Sequence, residues 1–151
     1  MKGIGIELKS KGIGLTLVLV ILLAGCGTTP HIATSLHVTR SESLQGYNFA
    51  PFERTVNNTT AVQRLYAAAL ALPTPQPGVY DCPNDIGLVY HLSFDGDRFT
   101  FQHMDLEATG CGWLHLNQTE VRRTTDSFLS LVVQTIGISC LIPSACVSLE
   151  Q

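Results

Sequence analysis

The chain has 151 residues, 45% of them hydrophobic and only 14% charged, with a formal net charge of −3 at neutral pH. Its nine basic residues are Lys2, Lys9 and Lys11 near the start and then only arginines, Arg40, Arg54, Arg64, Arg98, Arg122 and Arg123, set among eleven of the twelve acidic residues. That balance excludes the basic footprint of a nucleic-acid binder and a polybasic patch for anionic lipid, and the length beyond position 25 suits one domain with a modest core.

The first element in chain order is a leader. Three lysines precede an apolar run over residues 13–24 that is interrupted only by Gly14 and Thr16. The run is shorter than the ~20 apolar residues that cross a bilayer as a helix, and it fits the core of a signal peptide. It closes on Leu23-Ala24-Gly25-Cys26, which resembles the lipobox of bacterial lipoproteins. The resemblance implies that residues 1–25 are a removed signal peptide and that the Cys26 sulfur carries a diacylglyceryl group. Its amine would be acylated too, with palmitate as the label that reports it. Two or more acyl chains hold a protein stably on a membrane where one does not. The expected location is therefore the extracytoplasmic face of the cell membrane, with that membrane as the first partner. Residues 26–47 are read as the lipidated end and a flexible tether, because residues 27–46 are rich in Ser, Thr and Gly and show little periodicity.

An α+β domain is expected over residues 48–137, followed by a disulfide loop and tail over 138–151. Residues 49–56 predict a first strand, confined by Pro51 to an edge or a start. A helix over 60–72 follows, with Thr60 and Gln63 as a capping box and Val62, Leu65, Tyr66, Ala69 and Leu70 on one apolar face. Pro73, Pro75 and Pro77 stop it. Leu88, Tyr90, Leu92 and Phe94 alternate with Val89, His91 and Ser93, and Asp95-Gly96 predicts a two-residue hairpin turn into Phe99 and Phe101. In that register Leu92 faces Phe99, Tyr90 faces Phe101, Leu88 faces His103, and His91 lies on the outer face opposite Thr100. Residues 110–116 predict a third strand of the meander and residues 120–124 a fourth. Asp126 is then read as the N-cap of a second helix whose apolar face is Phe128, Leu129, Leu131, Val132 and Ile136, ending at Gly137. The predicted fold is a small antiparallel sheet of three to five strands with both helices packed on one face and the other face open to water.

Outside the cytoplasm, Cys82, Cys111, Cys140 and Cys146 read as a disulfide framework. Four cysteines allow three connectivities, and Cys82 with Cys111 plus Cys140 with Cys146 is the preferred one. Neither pair has the Cys-x-x-Cys spacing of a zinc site. His91, His103 and His115 recur every twelve residues, but the expected register sends His91 outward and His103 to the end of the core-facing row, so no metal site is expected. Asp95 and Asp97 lack the further carboxylates of a calcium loop. Asp81 and Asp85 are read as turn residues. The nucleophile elbow, the zinc-protease helix, the phosphate-binding glycine loop and the dinucleotide fingerprint are all missing from the sequence, so no catalysis and no cofactor are expected.

The series Leu65-Tyr66, Leu72-Pro73, Tyr80 to Pro83, Asp85, Gly87, Tyr90-His91-Leu92-Ser93-Phe94 and Gly110-Cys111 resembles an uncharacterised class of small exported proteins of Actinobacteria and Chloroflexi-type bacteria. The likeness covers roughly residues 50–137. It implies no activity, but it includes Cys82 and Cys111 and so favours their pairing. The function expected is a lipid-anchored extracytoplasmic module that binds an unknown protein or envelope partner or serves the envelope structurally. Its expected binding face holds His91, Thr100, Gln102 and the sole tryptophan, Trp113. The alternative is an exported protease inhibitor presenting Leu141 or Pro143 from the loop between Cys140 and Cys146.

Overall fold

The computed structural model describes residues 32–42, 49–96 and 100–142, the side chains of Thr100 and Phe101 excepted. The leader, Cys26, Asp97, Pro143 and Cys146 lie outside the described residues. Among the described residues six strands and two helices follow one another: β1 (Ser35–Glu42), β2 (Glu53–Val56), α1 (Thr59–Leu70), β3 (Leu88–Asp95), β4 (Thr100–Glu107), β5 (Trp113–His115), β6 (Val121–Arg123) and α2 (Asp126–Ile136). All strand pairs are antiparallel, in the order β2-β1-β3-β4-β5-β6. The α+β expectation holds in outline, with more strands than the three to five expected.

The largest difference is β1. Within the segment read as tether, Ser35–Glu42 pair along all eight residues with β3 and along four with β2, so the sheet begins ahead of residue 48. The local reason is the alternation of Leu36 and Val38 with His37 and Thr39, a half-buried strand pattern that composition alone hides. Both apolar residues are fully buried. As Pro51 required, β2 begins after it and lies at the sheet edge.

Helix α1 starts one residue before the expected capping box, because Asn58 takes the N-cap and its side chain accepts from the Ala61 N–H at 3.1 Å. Val62, Leu65 and Ala69 are its buried stripe. At α2 the cap is Thr125 and not Asp126. The Thr125 hydroxyl accepts from the Phe128 N–H at 3.2 Å, which leaves Asp126 in the first turn, where its charge suits the helix dipole. Gly137 ends α2 in the left-handed conformation, as predicted.

The hairpin register also differs from expectation. Tyr90 pairs with Leu106, His91 with Asp105, Leu92 with Met104 and Ser93 with His103. The strands stop at Asp95 and resume at Thr100, and the ladder shifts at Phe94 and Asp95. A two-residue turn would have brought Phe99 against Leu92. The longer connection instead lets Met104 and Leu106 complete the buried row, and both are essentially inaccessible. The slip is an odd number of residues, so it exchanges the two faces of β4.

The buried rows of the sheet, Leu36, Val38, Leu88, Tyr90, Leu92, Phe94, Met104, Leu106 and Leu114, form one cluster with Val62 and Leu65 of α1 and Phe128, Val132 and Ile136 of α2. Both helices therefore lie on one side of the sheet, a two-layer sandwich. Cys82 and Cys111 are disulfide-bonded, with Cα atoms 4.8 Å apart, and staple the entry of β3 to the approach to β5. Cys140 is also a disulfide cysteine, and its expected partner Cys146 lies outside the described residues. Among the described residues no helix is long and apolar enough to cross a membrane.

Candidate functional site

The strand positions that alternate with the core rows build the second face of the sheet, which no described helix covers. One row across it runs Thr55, His37, Ser93 and His103; the next runs Glu53, Thr39, His91, Asp105, His115 and Val121; Ser41, Val89 and Glu107 start a third, and Trp113 pairs with Arg123 beyond β4. Four of the five histidines of the chain thus share one face. His103 is a correction, since it was expected at the end of the core-facing row. Opposite Ser93 it is exposed, and its Nδ1 lies 3.0 Å from the Ser93 hydroxyl.

Each histidine of this face has a polar neighbour on an adjacent strand. His115 Nε2 lies 2.8 Å from Glu107 Oε1. His37 sits between Thr55 Oγ1 at 3.3 Å and Glu53 Oε1 at 3.6 Å. His91 has the tightest arrangement. Its Nδ1 is 2.7 Å from Asp105 Oδ1, and its Nε2 is 2.7 Å from the Ser41 hydroxyl. In the tautomer with its proton on Nδ1, the ring donates to the carboxylate and Nε2 accepts from the serine O–H. Hydroxyl, imidazole and carboxylate come from β1, β3 and β4, three neighbouring strands. His91 and Asp105 remain about half exposed, with 42% and 54% of their side-chain surface open.

Of the binding face expected from sequence, His91 and Trp113 are on this surface. Trp113 packs edge-to-face on Tyr80, with ring centroids 5.0 Å apart. Gln102 is a correction. The register places it opposite the buried Phe94, on the core side, where its amide donates to the Leu116 carbonyl at 2.5 Å. Thr100 pairs through its backbone with Asp95 instead of His91. Leu141, expected on a presented loop, is 7% exposed, and its carbonyl accepts from the Tyr90 hydroxyl at 2.7 Å. Among the described residues no group of three or more His, Cys, Asp or Glu side chains is placed to hold a metal ion.

Sequence reasoning missed Ser41 and Asp105. Ser41 lies inside the expected tether, and Asp105 lies beyond the expected hairpin. The alternation of His103, Asp105 and Glu107 with Met104 and Leu106 was the signal that would have placed the second. On the opposite side of the molecule, an open groove of about 420 Å³ between the helices is lined mostly by apolar side chains, with Arg64 the one charged group among them. No family model matches the chain, and neither a curated protein nor a solved structure is significantly similar to it.

Proposed function

We propose that this chain is a lipid-anchored extracytoplasmic lipoprotein, held on the cell membrane by acyl groups at Cys26, whose domain binds a protein or envelope partner through the polar face of its sheet. The observation that carries the binding half is the uncovered sheet face, where four histidines, Glu53, Asp105, Glu107 and Arg123 stand in register beside Trp113. A surface of hydrogen-bonding side chains fixed on rigid strands is preorganised for a polar partner, since little side-chain ordering remains to be paid on binding. The anchor half is supported by the basic-then-apolar leader ending in Leu23-Ala24-Gly25-Cys26.

Cys26→Ala should abolish labelling by palmitate and leave an uncleaved precursor in the producing cell. Label persisting in that variant would refute the anchor. Retention of the non-lipidated domain on washed cell envelopes tests the face. His103→Ala together with His115→Ala should release it, while exchange of Arg64 on the helical side should not. Equal retention of all three proteins would overturn the assignment of the face.

A further inference from the structure

We propose that Ser41 is an activated nucleophile, with His91 as its general base and Asp105 as the positioning residue, and that it accepts acyl groups from small carboxylic esters. The proposal goes beyond a binding role and does not depend on the anchor. It rests on which atoms meet. Asp105 Oδ1 engages Nδ1 and the Ser41 hydroxyl engages Nε2, both at 2.7 Å, so one ring joins a carboxylate to a hydroxyl through opposite nitrogens. This is the order of contacts a hydroxyl needs to lose its proton as it attacks. His37 joins Thr55 to Glu53 in a similar sense, but at 3.3 and 3.6 Å. His103 and His115 have only a hydroxyl or only a carboxylate among their described contacts.

Access and chemistry agree. Ser41 is exposed near the end of β1, and Val89, half-buried directly across the ladder, gives an apolar rest for a short acyl chain. Ser41 Oγ adds to the ester carbonyl carbon while its proton passes to His91 Nε2. The carbon–oxygen bond to the alcohol then breaks, the proton leaves with the alcohol, and an acyl-Ser41 remains. Water attacks that ester, giving its proton to His91, and the carboxylic acid departs as Ser41 recovers the proton. Ester and water have become acid and alcohol, with no other reactant needed.

The neighbouring backbone sets the expected rate. Arg40 donates its N–H to the Phe52 carbonyl and Ser41 pairs with Val89, so these strand amides serve the sheet, and the tetrahedral oxygen faces water. Preorganised donors for that oxygen are worth about 10²–10³ in rate where enzymes have them. Ser41 is therefore selective for esters with good leaving groups and turns over slowly.

The test uses the full chain with p-nitrophenyl acetate and, separately, a fluorophosphonate, read by intact mass and peptide mapping. The expected result is one adduct, on Ser41, that disappears in Ser41→Ala. In His91→Gln its rate of formation should fall about 10²–10⁴-fold, the range for a lost general base. Asp105→Asn should slow it as well and Asp105→Glu restore part of it, at an unchanged unfolding midpoint. Modification of Ser93 or Ser127 as fast as Ser41 in the wild-type protein would overturn the proposal without any variant. No adduct on folded wild-type protein, or equal rates in wild type and His91→Gln, would overturn it too.

Discussion

Gly137 shows how one residue joins two elements. At φ 65° it occupies the left-handed region, and a Cβ built there would lie 2.8 Å from Arg54 Nη1, which donates to the Ile136 and Gly137 carbonyls at 2.6 and 2.9 Å. An arginine of β2 thereby satisfies the free carbonyls at the end of α2. Gly137→Ala adds left-handed strain and displaces that guanidinium, so a loss of about 1–3 kcal/mol is expected in chemical denaturation. Tyr66 makes a second prediction. Its ring packs 5.1 Å from that of Phe94, and burial pushes its phenol above the ordinary tyrosine value, because the phenolate would lose its hydration. The folded state therefore holds this proton more tightly than the unfolded chain does. Its contribution to stability is complete below about pH 10 and is lost as the pH rises through the folded value. Tyr66→Phe should flatten the fall of the urea midpoint above about pH 10, and a slope equal to wild type would exclude Tyr66 as its source.

At the scale of elements, the helices and strands of the middle of the chain were legible because their residues carry strong periodicity and caps. Residues such as Val62, Leu65, Phe128, Val132 and Ile136 fall on helical faces that the core does bury. The caps moved by two residues at α1, from Thr60 to Asn58, and by one at α2, from Asp126 to Thr125, since several adjacent polar residues compete and only backbone geometry chooses among them. The disulfide between Cys82 and Cys111 closes a loop of sequence separation 29. On chain-entropy grounds, exchanging both cysteines for alanine should cost about 3–4 kcal/mol. Chemical denaturation of the wild type and of the Cys82→Ala, Cys111→Ala protein, both kept oxidised, measures that difference. The hairpin register was not legible, because two parities were available to β4. Phe99 and Phe101 favour one and Met104 and Leu106 the other, and the decision lay in the length of the connection. The candidate site followed that decision, since it moved His103 and Asp105 to the polar face and Gln102 to the helix-covered side of the sheet.

At the scale of the whole molecule, β1 is the strand that unites the sheet, lying between β2 and β3 and contributing Leu36 and Val38 to the core. A chain beginning at residue 48 would leave β2 without a partner and an edge of β3 open. It should fail to fold cooperatively, whereas one beginning at residue 32 should unfold in a single transition by circular dichroism. A cooperative transition from residue 48 would show β1 to be dispensable. Local pattern alone determined the α+β class, the two amphipathic helices and the end of α2 at Gly137, because each rests on contacts within a few residues or on chain-wide composition. Strand order, the membership of β1 and the meeting of Ser41, His91 and Asp105 were decided only in three dimensions. Those depend on which distant rows bury the most apolar surface together, a comparison that no single segment of the chain contains.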